Sequence, residues 1–226
     1  MRAIAWGVRL SSGATAVMQL LALVKIGAIA VIPSRRWHQT EQEDCCRLHG
    51  ATIIIDADTP SPPPLVAADS LWSWGDRLAD DAVQGIYFTS GTSGTPKPVP
   101  LTVGNHRASA IAIHQHMGIR ADDYWLNCLP LYHIGGQAIM WRSLFWRIPF
   151  FCLRFTPEAT HLAVREHPIT YISLVPTMLW RLQSLIERSP ESWQRLRGIV
   201  VGGPPWEPNC AAGQNDGICP YAPPMA

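Results

Sequence analysis

Charge of one sign is what this sequence has least of. Eighteen Lys and Arg stand against 17 Asp and Glu, a net charge of +1. No basic stripe gathers along the chain, so nucleic-acid binding has no electrostatic footprint. Charged residues are scarce in total, 15% against 47% hydrophobic, which excludes a disordered or fibrous class and provides for a substantial core. Cysteine pairs of the metal or redox kind are missing. Cys45, Cys46, Cys128, Cys152, Cys210 and Cys219 form no C-x-x-C, and none lies at zinc-ligand spacing with a histidine. Reduced thiols in a cytoplasmic protein are expected, with no metal site built by the chain. Gly-Lys-[Ser/Thr] is absent too, so no Walker A loop is present. No internal repeat is visible.

One long apolar run is present, from Ala14 to Pro33, broken by Thr15, Gln19 and Lys25. Its length suits a membrane span. Lys25 near its centre argues against one, because charge is costly there. Gly27 divides the run. Ala14–Val24 reads as a buried helix, and 26–32 as a buried parallel strand stopped by Pro33. No cleavage site follows a short apolar run, so a signal peptide is not expected. A membrane-associated protein anchored by this run is the alternative that the helix-then-strand reading displaces.

Helix-like and strand-like segments then alternate. Residues 40–48 suit a polar surface helix, 51–55 a strand, and 59–64, with four prolines, a loop. Residues 85–88 form a strand that runs into a Gly/Ser/Thr cluster. Thr102 caps a helix to Met117, ended by Gly118. Residues 124–129 are a strand, 137–147 a helix and 150–153 a strand. Thr156-Pro157 opens a helix to Glu166 as N-cap and first-turn proline. Residues 171–175 are a strand, 177–187 a helix and 198–201 a strand. The β-then-α order predicts an α/β fold with mainly parallel sheets flanked by helices. After Gly203 the pattern stops; six prolines follow between Pro204 and Ala226, and residues 205–226 read as an irregular tail.

The chemistry concentrates in Tyr87-Phe88-Thr89-Ser90-Gly91-Thr92-Ser93-Gly94-Thr95-Pro96-Lys97. Its glycines let the backbone approach an anion closely. Its hydroxyls and N–H groups can donate to phosphate oxygens, and Lys97 adds a positive charge. Such a loop leaving a strand is a phosphate cradle. A flexible linker is the bland alternative. The hydrophobic strand leading in and Pro96 at the exit count against it.

This run resembles the phosphate-binding signature of the adenylate-forming superfamily, which includes acyl-CoA synthetases, luciferases and peptide-synthetase adenylation domains. The resemblance implies that Thr89, Ser90, Gly91, Thr92, Ser93, Gly94, Thr95 and Lys97 hold the ATP phosphates. Pro98 departs from the family's small residue after the lysine, and with Pro100 it removes backbone donors. Further segments follow in the family's order. Residues 129–136, Leu-Pro-Leu-Tyr-His-Ile-Gly-Gly, are similar to its L-P-L-F-H-x-x-G segment and place His133 beside substrate and phosphates. Ser173-Leu174-Val175-Pro176-Thr177 and Val200-Val201-Gly202-Gly203-Pro204 resemble its V-P-T and G-G-A-P segments, which implies acyl-side contacts for Thr177, Gly202 and Gly203. Leu21–Pro33 resembles a further segment of the same domain. Gly104-Asn105-His106, residues 136–142 and residues 175–182 narrow the resemblance to the o-succinylbenzoate–CoA ligases of menaquinone synthesis.

Side chains taken singly leave alternatives open. His133 suits either a loop histidine satisfied by a carbonyl or, by resemblance, a substrate-side donor or gate with a catalytic part. His106 is a first-turn helix residue or a site residue. Arg142 and Arg181 suit solvated helix faces or a bidentate grip on a substrate carboxylate. Asp122-Asp123 reads as a turn ahead of a strand, and Asp56 and Asp58 receive no role. Each candidate loop follows a strand, so in one open parallel sheet all four gather at a single edge.

The resemblance implies an AMP-forming acid–CoA ligase using ATP, Mg2+ and CoA on a small, aryl-type carboxylic acid. Substrate carboxylate attacks the α-phosphorus, pyrophosphate leaves, and CoA thiolate then displaces AMP from the acyl-adenylate. The family's Tyr-Gly-x-Thr-Glu and Thr-Gly-Asp segments do not occur here. The expectation is therefore a partial AMP-binding domain over residues 1–204, a truncated or frameshifted tail over 205–226, and no small C-terminal domain. A catalytically incomplete or vestigial nucleotide-binding fragment is the second functional reading.

Overall fold

In a computed structural model the described residues are 4–10, 13–56, 79–89, 96–203 and 219–221. In chain order they form β1 (Ala5–Arg9), α1 (Ala14–Ile26), β2 (Ile29–Val31), α2 (Gln39–Leu48), β3 (Ala51–Asp56), β4 (Val83–Thr89) and β5 (Lys97–Thr102). Then come α3 (Val103–Met117), β6 (Trp125–Asn127), α4 (Ile134–Trp146), β7 (Phe150–Cys152), α5 (Pro157–Glu166), β8 (Tyr171–Leu174), α6 (Pro176–Arg188), β9 (Gly198–Val201) and β10 (Cys219–Tyr221). The chain divides into two units, Met1–Ala112 with Pro130–Phe145, and Ile113–Leu129 with Trp146–Ala226.

The expected α/β class holds: parallel strands alternate with helices. The expected single sheet does not. The strands form two five-stranded sheets, β3-β1-β2-β4-β5 and β10-β9-β8-β6-β7. In each, four strands are parallel and one edge strand is antiparallel, β5 against β4 and β10 against β9. The physical reason for the break lies in β5. Pro98 and Pro100 sit opposite Phe88 and Ile86. Proline cannot donate to a ladder, and these two are two residues apart, so both lack the N–H on the same side of the strand. With that side outward, β5 is an edge, and the first sheet stops there.

In the first unit, α1 buries Ala16, Val17, Gln19, Leu20, Leu23 and Val24, the stripe that a 3.6-residue period produces. Gly27 ends α1 in the left-handed conformation, φ 67°, donating to Leu23 and Val24 carbonyls. No helix among the described residues is long and apolar enough to cross a membrane. β1, which sequence pattern did not single out, runs in parallel between β2 and β3. Its Gly7 lets α2 approach: a Cβ there would stand 2.7 Å from Cys46 Sγ. Arg9 at its end donates to Asp56 at 2.6 Å, and Gln19 Nε2 donates to the Asp56 carbonyl. Asp56 therefore closes one end of the sheet, a role its sequence context did not suggest.

In the second unit, Leu126, Ile172, Leu174, Ile199 and Val201 form a core with Val164 of α5 and Leu182 of α6. Thr156 caps α5 as its sequence predicts, accepting from Ala159 N at 3.1 Å ahead of Pro157. Asp123 is almost wholly buried. It accepts from Arg120 N and from the Arg197 guanidinium, whose other nitrogen donates to the Gly118 carbonyl. β10 lies inside the stretch expected to be irregular; its Pro220 and short length disguise it.

Candidate functional site

Thr89 is the last residue of β4 and Lys97 the first of β5, and the two are register partners. Both are exposed. A β-then-loop exit was expected. The structure instead has a hairpin that anchors both ends of the intervening segment at one point. Ser90, Gly91, Thr92, Ser93, Gly94 and Thr95 lie outside the described residues, as does the proline-rich loop at 59–64. Pro98 and Pro100 lie in the outgoing strand, opposite Phe88 and Ile86. Thr102 then starts α3 as expected, in a reciprocal cap: Thr102 Oγ1 accepts from Asn105 N at 3.2 Å and Asn105 Oδ1 accepts from Thr102 N at 2.9 Å.

His133 belongs to the same unit. Its carbonyl accepts from the Gly136 and Gln137 amides, so it is the residue from which α4 starts. Its ring lies at the surface, 4.5 Å from the Tyr132 ring. Its imidazole is held below the usual histidine range, first by partial desolvation and then by the Arg36 charge. A neutral ring can donate from one nitrogen and accept at the other, as a substrate-side group near neutral pH must.

Beneath this loop lies a connection that sequence reading missed. Tyr87 Oη donates to Gln137 Oε1 at 2.6 Å, and Gln137 Nε2 donates to the Leu131 carbonyl at 2.7 Å. Gln137 has no solvent exposure. Gly85 makes room for the phenol: a Cβ there would stand 3.3 Å from Tyr87 Oη. The only sequence signal was a polar residue on an otherwise apolar helix start.

His106 resolves to a buried position on the first turn of α3. Its ring stacks on Trp141 at 4.5 Å with 9° between planes, and Nε2 has no hydrogen-bond partner. Burial pushes its imidazole down to about 4. Arg142 is not on a solvated face: it is buried on α4, which pushes its guanidinium down to about 10. Arg181 is exposed, 5.3 Å over the Phe155 ring.

Thr177, Gly202 and Gly203 lie in the second unit. Thr177 is exposed on the first turn of α6, behind Pro176. Gly202 N donates to the Leu174 carbonyl at 3.0 Å, which extends the β8–β9 ladder by one residue. Gly203 has φ 112°, a conformation that side chains other than glycine rarely adopt, and a Cβ there would be 3.7 Å from Pro176. So the structure brings these three together at the ends of β8 and β9. The expectation of a single sheet edge holds for three of the four loops and is corrected for one: the His133, Thr177 and Gly202-Gly203 loops follow β6, β8 and β9 of the second sheet, whereas the phosphate-signature segment follows β4 of the first. Among the described residues no group of three His, Cys, Asp or Glu side chains is placed to hold a metal ion. Cys45, Cys46, Cys128 and Cys152 are free thiols.

The family model for AMP-binding enzymes matches residues 7–220. The chain belongs to the AMP-binding enzyme family. Within the family, 2-succinylbenzoate–CoA ligase from Bacillus cytotoxicus is 30% identical over 217 residues, 88% of this chain and 43% of that protein. The chain thus spans less than half the length of that curated relative. Among solved structures, o-succinylbenzoate–CoA synthetase from Bacillus subtilis in complex with AMP superposes with a TM-score of 0.75 at 27% identity, over 92% of this chain and 57% of that one. The same enzyme in complex with ATP and magnesium superposes with a TM-score of 0.72 at 26% identity, over 89% and 57%.

Proposed function

We propose that this chain supplies the ATP-phosphate and acyl-side portion of an AMP-forming acid–CoA ligase. The ligase works through an acyl-adenylate, with a cytoplasmic site of action and an aryl carboxylic acid of the o-succinylbenzoate kind as substrate. The observation that carries the reading is the hairpin base. Thr89 and Lys97 face each other at the ends of the segment whose sequence is the family's phosphate signature. Family membership over residues 7–220 supports it.

In this reading Ser90–Thr95 wrap the β- and γ-phosphates and Lys97 offsets their charge as pyrophosphate leaves. His133, neutral at working pH, donates to the carboxylate or phosphate oxygen at the reacting end. Thr177, Gly202 and Gly203 border the acyl group, the glycines by offering backbone without Cβ atoms. Magnesium arrives on the ATP phosphates and supplies charge neutralisation there. CoA thiolate then attacks the acyl carbonyl and AMP departs.

Titration calorimetry of the full chain with ATP and Mg2+ tests the nucleotide reading. Binding is expected, and a folded chain that ignores ATP overturns it. ATP–pyrophosphate exchange tests the substrate class, with o-succinylbenzoate against aliphatic acids and with a version extended to the relatives' length as comparison. Exchange specific to the aryl acid in the extended version is expected. ATP binding with no exchange in either version favours a nucleotide-binding module without ligase activity.

A further inference from the structure

Three groups in the first unit form an unbroken chain from the root of the phosphate signature to the His133 loop. Tyr87 is the first residue of that signature. Its hydroxyl donates to Gln137 Oε1 at 2.6 Å, with Gln84 Oε1 a longer second acceptor at 3.4 Å. The Leu131 carbonyl, 2.7 Å from Nε2, can only accept, so it fixes the Gln137 amide with Oε1 toward Tyr87. The main chain of Gln137 also donates to the His133 carbonyl at 3.3 Å. Gln137 therefore holds the 131–133 turn at both ends, and Tyr87 holds Gln137. Tyr87, Gln137 and Leu131 are buried, where a hydrogen bond is not readily exchanged for one to water.

We propose that Tyr87 and Gln137 are positioning residues for His133, linking the strand that carries the phosphate segment to the loop that carries the imidazole. Neither touches a reacting atom. A displacement of β4 is passed through two short hydrogen bonds to the turn that carries His133. The inference rests on the reading of His133 as a substrate-side group. The contacts it needs are the two buried hydrogen bonds of Gln137.

The test follows the His133 ring by NMR in the full 226-residue chain. Tyr87→Phe keeps the ring and removes the donor. Gln137→Met keeps the volume and removes both side-chain bonds. Ile139→Val, buried on the same helix, is the control for lost packing alone. Without ligand, the wild-type His133 midpoint should lie below the ordinary 6.5. It should rise toward that value in Tyr87→Phe and Gln137→Met, as the turn loosens and hydrates, and stay put in Ile139→Val. The charge that acts on the ring, Arg36, is unaltered in all three. If Gln137→Met does not fold, Tyr87→Phe alone decides. An unchanged midpoint in folded Tyr87→Phe overturns the relay. With Mg-ATP added, the wild-type ring signals should move, and those of Tyr87→Phe should move several-fold less at saturation. Equal movement also overturns it. A wild-type chain that does not bind ATP defeats the functional reading instead and leaves the ligand-free comparison to decide the relay.

Discussion

Thr89 and Lys97 are opposite neighbours across an antiparallel pair, so the segment between them begins and ends at one place. Lys97, exposed at the start of β5, therefore sits directly across from the residue at which β4 ends.

Lys97→Ala should therefore weaken ATP binding about 10- to 100-fold, the range for losing one charge-assisted phosphate contact. Lys97→Arg should recover part of it. Lys97 is exposed, so thermal unfolding should hardly change in either variant. Calorimetry and a melting curve read the two effects separately.

His106 should make the protein sensitive to mild acid. Its imidazole titrates near 4 when folded because burial opposes charge, against 6.5 when free. The unfolded chain thus binds the proton more readily between those values. Stability from this group is complete above about pH 6.5 and is lost as pH falls toward 4, by about 3 kcal/mol at most. His106→Phe, which keeps the stack on Trp141, should flatten urea-unfolding stability across that window.

Gly7→Ala should destabilise the first unit. The new methyl would meet Cys46 Sγ at 2.7 Å, Cys46 Cβ at 2.9 Å and Ile54 at 3.0 Å, so α2 must shift away from β1. Overpacking of this kind costs about 1–3 kcal/mol, readable by chemical denaturation.

Asp123→Ala should cost about 1–3 kcal/mol, because it takes a buried acceptor from the Arg120 amide and from one nitrogen of the Arg197 guanidinium, which keeps its bond to the Gly118 carbonyl. Asp123→Asn, which retains an acceptor, should lose less. The same denaturation measurement separates them.

Elements that carry their own punctuation were readable in the sequence. Gly27, Gly118 and Thr156-Pro157 end or start their helices where the residues themselves demand it. Elements without such marks were not. β1 has only one β-branched residue, and β5 has two prolines that argue against any strand until an edge is available. The split into two sheets depends on that edge, so it too was hidden. For the candidate site, Lys97, His133, Thr177 and the Gly202-Gly203 pair were proposed from motif order alone. The Tyr87–Gln137 bond spans 50 residues, and no local pattern encodes a partner so distant.

Pro98 and Pro100 carry a last consequence. A bare strand margin invites another molecule to zip onto it, and a row of free amides is what that zipper needs. Here the row has gaps at alternate teeth. Copies of this chain are thereby discouraged from fastening together along β5.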